Sequence, residues 1–253
     1  MPSEQELKNL VNTSLDEAER IWNRVGHEIV EAKAAQFSNR EVRASEVPSH
    51  IPGHATVDSD QPIVDDFIAL VLDMRDSSNH LNAANSFGLK TLERVLYETS
   101  AILPVCSRII AGNSGRVTEY LGDGLLAFFH APDSKEKKDD ACYKCHDAAV
   151  ECMEVVKDVV NPTLADRYQL PPLEIGIGMA YSQSIVTIIG DGSHLKPIAF
   201  GKCVFDATKL SKGRNQVIVA ESLKLIWPTG ENGRIKFFPT RIKDHSGYVM
   251  HES

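Results

Sequence analysis

Two aspartates stand where apolar segments end. Asp73 closes the run at residues 67–73 (FIALVLD), and Asp123 lies inside Gly122-Asp123-Gly124, within residues 116–130 (RVTEYLGDGLLAFFH). Alternation before that glycine pair and an apolar run after it predict a β-hairpin with Asp123 at its tip. A helical crossover between the two segments would bring the strands side by side. Two carboxylates on one sheet edge can hold two divalent cations, a clamp for in-line attack on phosphate. Each aspartate also has a plainer reading. Asp and Gly favour turns for local reasons, and an Asp after a strand often caps the next helix.

Other residues with metal or thiol chemistry read more simply. Cys142-Tyr143-Lys144-Cys145-His146 matches a C-x-x-C-H haem-attachment pattern, but Cys142, Cys145, Ala149, Cys152, Val156 and Val159 recur at helical spacing. Small thiols on an apolar helix stripe are ordinary core residues. Five cysteines without regular spacing form no disulfide framework. His50 and His54, in the proline-bearing stretch 46–62, read as residues of a solvated loop, with metal binding as the alternative.

The elements that must position the aspartates follow from the rest of the chain. Its 253 residues are 42% hydrophobic, ample for a core. A net charge of -8 argues against a duplex nucleic-acid partner. No apolar run approaches the roughly 20 residues of a membrane span, and the N-terminus lacks the pattern of a secretory signal. A cytoplasmic protein is expected. Residues 1–45 read as amphipathic helix, with Ser14 and Glu17 placed to interrupt or cap it. Residues 46–62 read as linker, which divides the chain into 1–62 and 63–253. A helix is expected over about 83–110 with a kink at Pro104, and the cysteine-bearing helix ends at Asn161-Pro162. Residues 173–179 and 184–189 read as two strands joined by a turn near Tyr181. A short helix spans 202–212, with strands at 216–219 and at about 234–238 and 247–251. The order implies an α+β fold, its sheet largely antiparallel with helices packed against it.

Four segments, in chain order, carry a family resemblance. VLDMRDSS resembles the strand-Asp-loop of class III nucleotidyl cyclase domains, and EYLGDGLLAFF their Lys/Glu-Thr-Ile-Gly-Asp hairpin. IGIGMAYSQSIVTIIG is similar to their Ile-Gly-(Ile/Leu)-His-x-Gly-x-(Val/Ala) strand pair, and FGKCVFDATKL to their Trp/Phe-Gly-x-x-Val-Asn-x-Ala-x-Arg helix. The match covers roughly residues 66–251 and implies a ferredoxin-like cyclase fold, with 63–253 as the catalytic domain. It further implies that Asp73 and Asp123 bind two divalent cations, Mn²⁺ or Mg²⁺, with the Met74 carbonyl as a possible extra ligand. Backbone amides near Ser77 and Ser78 would cradle a nucleoside triphosphate, and the site would form between the two copies of a head-to-tail homodimer.

The departures from the family pattern concern base and phosphate. The motif's Asn aligns with Phe205, one residue before Asp206, and its transition-state Arg with Lys209, which lacks the bidentate fork. Lys243 aligns with the triphosphate lysine. The base-reading positions are Glu119 and Ile198, with Tyr120, Phe200 and Phe205 as bulky neighbours that would shorten the pocket. That combination looks like the pyrimidine cyclases of bacterial Pycsar anti-phage defence. It implies conversion of UTP, or alternatively CTP, to the 3′,5′-cyclic nucleotide and pyrophosphate, with the product activating a separately encoded effector. Guanylate cyclase is the second reading, and a catalytically degenerate dimerisation module the third.

Overall fold

The computed structural model describes residues 3–25, 46–58, 61–77, 80, 89–190, 194–229 and 233–252. At its centre lies β3 (Ile63–Met74), whose apolar residues from Phe67 onward are buried on both faces. Ile68, Leu70, Leu72 and Met74 enter the larger core, whereas Phe67, Ala69 and Val71 enter a smaller one. A strand covered on both sides needs such an unbroken apolar run, because neither face meets water. On one side β3 pairs antiparallel with β5 (Gly124–His130), which in turn pairs with β4 (Arg116–Tyr120). On the other side it pairs antiparallel along its whole length with β6 (Ile175–Ile189).

Further out, β6 is flanked by β7 (Lys196–Gly201) and by β8 (Gln216–Val219). The sheet continues through β10 (His245–Glu252) to β9 (Ile235–Ile242) and has eight strands. β6 and β8 run parallel. The sheet is therefore mixed: largely antiparallel, as expected, with this one parallel pair. The chain returns between them through α5 (Lys202–Leu210), and this helical crossover restores the strand direction. Gly178 lets this helix lie flat on β6, since an added Cβ would stand 2.0 Å from the Ala207 carbonyl oxygen.

The larger core is covered by helices. α1 (Glu4–Val25) buries Val11, Leu15 and Ala18. It passes Ser14 without interruption. Its capping box lies at Ser3 and Glu6 instead, where the Ser3 amide donates to the Glu6 carboxylate at 2.7 Å. Arg167 and Tyr168 hold α1 by its polar side, with Arg167 Nη2 2.7 Å from Asp16 and 2.6 Å from Glu19. Residues 26–45, read as a continuation of this helix, lie outside the described residues.

α2 (Thr91–Gly112) continues through Pro104. Its stretch Leu92–Gly112 is apolar and long enough to span a bilayer, contrary to expectation from sequence. Here it is a core helix: Ile102, Val105, Cys106 and Ile109 are buried, and it carries a buried Arg94–Glu98 ion pair. α3 (Lys135–Val155) passes through a π-helical turn (Val156–Val160) directly into α4 (Asn161–Tyr168). Pro162 does not end the helical path, because it falls in the first turn of α4, where a missing N–H costs little. α6 (Glu221–Ile226) follows β8.

Two further readings change. β6 is one 15-residue strand, without a turn at Tyr181. The polar residues that suggested a turn bind the first turns of neighbouring helices: Ser182 Oγ accepts from the Cys203 amide at 3.0 Å, and the Tyr181 amide donates to Ser222 Oγ. The stretch read as linker contains a short hairpin of β1 (Glu46–Pro48) and β2 (Thr56–Asp58). Its Ile51 and Val57 are buried in the smaller core.

Cys142, Cys145 and Cys152 are fully buried core residues, as the helical spacing implied. Burial pushes the Cys142 thiol up to about 12, and Cys145 is also raised by burial. The contact with Cys106, followed by burial, raises Cys152. Folded protein should therefore react with a thiol-specific chromogenic disulfide at pH 8 far more slowly than protein in guanidinium chloride, where all five cysteines titrate. Rapid modification of Cys142 or Cys145 without loss of near-UV dichroism would show this helix face to be open.

Candidate active site

The pairing of β3 with β5 places the two aspartates together. Asp73 is the register partner of Gly124, the residue after Asp123. The strands approach so closely there that a Cβ on Gly124 would lie 2.4 Å from the Leu72 carbonyl oxygen. Gly122 holds a positive φ of 80°, and the Leu121 amide donates to the Gly124 carbonyl at 2.8 Å, closing the turn. Asp73 and Asp123 are both partly exposed at this edge. The Met74 side chain is buried on the far face, so the backbone is the part of Met74 on the site side.

Arg75 is the counter-charge, and sequence reasoning missed it. Its guanidinium pairs with Asp73, and the Asp123 charge also acts on it, against the burial that lowers its pKa. It stands two residues after Asp73, which is the spacing that keeps two strand side chains on one side. Its Nε is buried without a hydrogen-bond partner. The loop beyond is fixed from below: the Arg75 amide donates to the Glu174 carbonyl at 2.8 Å, and Arg214 bridges Asp76, at 2.7 Å, to Glu174. Arg214's hydrogen bond keeps Asp76 below the usual carboxylate range. Glu98, fully buried, accepts from Arg94 at 2.7 Å and meets His80 Nδ1 at 3.0 Å, tying the loop to α2. Ser77 begins this loop partly exposed, and Ser78 lies outside the described residues.

A second group gathers on the same sheet face. A bulge in β4 between Val117 and Glu119 re-aims the strand next to the hairpin tip. Glu119 pairs with Lys196 at the start of β7, another residue that local sequence did not single out. Glu119 and Thr118 line a cavity of about 210 Å³ with Leu126, Ile198, Phe200 and Phe205. Thr118 Oγ1 is buried there without a partner. Tyr120 does not join this group. It follows Glu119, so the strand pleat turns it to the opposite face, where its hydroxyl contacts Ser107 Oγ at 3.3 Å on α2.

The lysine candidates stand apart. Lys209 is exposed on α5, one turn after Phe205, which is 73% exposed at the rim of that cavity. Asp206 is engaged by Lys202. Lys243 occupies the β9–β10 turn with a positive φ of 51°. The register (Asp73 to Gly176 to Gln216 on one side, Met179 to Val219 to Tyr248 on the other) puts that turn at the opposite end of the sheet from the aspartates. Within one chain, Lys243 does not reach them.

No protein-family model and no curated protein matches the sequence. Solved structures do. A guanylyl cyclase, Cya2, superposes with a TM-score of 0.60 at 20% identity, covering 74% of this chain and 91% of its own. The adenylyl cyclase CyaB from P. aeruginosa gives 0.61 at 16% identity, covering 76% of this chain and 97% of its own. A bacterial light-regulated adenylyl cyclase gives 0.57 at 19%, covering 76% of this chain and 52% of its own. The chain has the nucleotidyl cyclase fold. The likeness is one of fold at these identities, and class III cyclase domains are its structural neighbours.

Within this cyclase fold, the donors at the strand edge suit hard divalent cations. Two carboxylates and a backbone carbonyl are oxygen ligands of the kind Mg²⁺ and Mn²⁺ take. The guanidinium between them marks where positive charge is wanted, and it must yield for a cation to bind. Gly124→Ala should cost about 1–3 kcal/mol in urea denaturation, because the Cβ forces the strands apart. An unchanged midpoint would mean that the close approach is not needed.

Proposed function

We propose that the protein is a nucleotidyl cyclase that converts UTP to 3′,5′-cyclic UMP and pyrophosphate. The observation that carries this reading is the meeting of Asp73 and Asp123 at one end of the β3–β5 pair, where Asp73 lies opposite Gly124, the residue after Asp123, in a chain with the cyclase fold. In the reaction the ribose 3′-oxygen bonds to the α-phosphorus as the bond to the β-phosphate oxygen breaks. The hydroxyl proton leaves to solvent and pyrophosphate departs. Two divalent cations, Mn²⁺ or Mg²⁺, held by Asp73, Asp123 and the Met74 carbonyl, would supply Lewis acidity at the hydroxyl and neutralise phosphate charge. Amides around Ser77 and Ser78 bind phosphate oxygens. Lys209 and Lys243 serve the site of a second copy, in a head-to-tail homodimer.

The Glu119–Lys196 pair supports the choice of base. It offers an acceptor beside a donor, which complements the N–H and carbonyl of uracil. Cytosine offers a donor beside an acceptor as well, through its amino group and ring nitrogen, which makes CTP the alternative pyrimidine substrate. The Thr118 hydroxyl adds a third polar group, while Ile198 offers none. The small cavity and its aromatic wall favour one ring over two. Guanine presents the same N–H and carbonyl edge, which makes guanylate cyclase the second reading. The resemblance of the sequence at Glu119, Ile198 and their bulky neighbours to Pycsar cyclases supports a cytoplasmic role in anti-phage defence, in which the cyclic nucleotide activates a separate effector.

Purified protein incubated with ATP, GTP, UTP or CTP and Mn²⁺ should give cyclic UMP as the main product by chromatography. Cyclic GMP as the main product would establish the second reading, and no product from any nucleotide would indicate a degenerate module. Asp73→Ala and Asp123→Ala should abolish turnover without changing the oligomer seen by light scattering. Full activity in Asp123→Ala would refute the two-cation assignment. Glu119→Ala should lower kcat/KM for UTP by about 10–100-fold, the value of a hydrogen bond to a charged group.

A further inference from the structure

β3 and β5 carry a second cluster at their other end. Asp65 lies on the same face of β3 as Asp73, and His130 is the last residue of β5. His130 Nε2 stands 2.7 Å from Asp65 Oδ2, and His54 Nε2 stands 2.9 Å from the same oxygen. His54 belongs to the turn between β1 and β2, far from both strands in sequence. The three ligand atoms lie within 4.8 Å of one another.

The surroundings hold this arrangement in place. Asp65 Oδ1 accepts from the Asp66 amide at 2.7 Å, which leaves Oδ2 facing the imidazoles. Burial would raise the Asp65 pKa, but that amide and the two histidines outweigh it and hold it below the usual carboxylate range. Gly53 packs against the His130 ring, where an added Cβ would come 2.7 Å from Nδ1, and its φ of 85° suits glycine. The Phe67 ring lies tilted against both imidazoles, its centroid 5.6 Å from that of His130 and 6.0 Å from that of His54, closing the apolar side. His54 is 10% exposed and His130 29%, so one side of the cluster opens to water.

We propose that His54, Asp65 and His130 form a zinc site that clips the β1–β2 hairpin onto the sheet. Two imidazole nitrogens and one carboxylate oxygen form a donor set that zinc takes, with water in the fourth position. A tetrahedral ion with bonds of roughly 2.0–2.1 Å needs its ligands about 3.3–3.4 Å apart. The present spacing must widen by roughly half an ångström, within reach of small side-chain rotations. Each imidazole then carries its proton on Nδ1 and offers Nε2 to the ion. The site is separate from the paired aspartates, and its role is structural: the turn it fixes also carries Ile51, which lines the cavity beside Glu119.

The test uses the full-length protein stripped with EDTA and titrated with ZnCl₂ against a chromophoric chelator. Wild type should bind one equivalent tightly, and zinc should raise Tm by about 5–10 °C at saturating concentration. His54→Gln and His130→Gln should weaken binding by more than the roughly 10–100-fold that loss of an outer-shell partner costs. Both should melt like wild type in EDTA. Asp65→Asn, which keeps an acceptor for both imidazoles, should likewise lose the zinc while holding the fold. The double variant Asp73→Asn/Asp123→Asn should retain that equivalent. No stoichiometric zinc in wild type would overturn the proposal and leave a purely hydrogen-bonded clip. So would equal binding by wild type and the histidine variants, or loss of the zinc with the two aspartates. Because the readouts are stoichiometry and Tm, the outcome does not depend on cyclase activity.

Discussion

The seven-rung pairing of β3 with β5, from Phe67 opposite His130 to Asp73 opposite Gly124, is the constraint on which the rest of the molecule depends. It joins the two cores, since the odd residues of β3 serve one and the even residues the other. It also fixes the distance between Asp73 and the hairpin tip, because Gly124 permits a contact that any side chain would block. The charge at that edge then follows. Two carboxylates brought together by main-chain hydrogen bonds need a cation, and Arg75 fills the need in the chain itself.

Local chemistry was the legible part of the sequence. An aspartate at the end of a two-sided apolar run, and another between glycines, declare themselves through residue type and short-range pattern. The cysteine stripe was legible for the same reason. The sides taken by Arg75 and Tyr120 were readable in principle, since strand alternation alone puts Arg75 with Asp73 and Tyr120 away from Glu119. The Glu119–Lys196 pair was not. It depends on how the distal half of β6 and β7 lie over the sheet, which no short window records.

Polar residues misled in both directions. Tyr181 and Ser182 look like a turn, yet they lie in mid-strand because their polar groups serve α5, α6 and Lys138. The stretch 46–62 looks like linker because prolines and histidines dominate it. Its two buried aliphatics, Ile51 and Val57, are too few to give a period, but they are enough to seat a hairpin. Pro104 and Pro162 show that a proline within a helical stretch need not end it.

β3 bears polar clusters at both ends of one face, eight residues apart, a span of about 26 Å at 3.3 Å per residue. Such a strand proofreads its own register. A slip of one residue against β5 would turn Asp65 and Asp73 together into the larger core, burying two carboxylates without partners, and would expose Ile68, Leu70 and Leu72 to the smaller one. An error at either end is thus penalised at both, and the long apolar run between them, which by itself would tolerate a shift, is locked from its two ends.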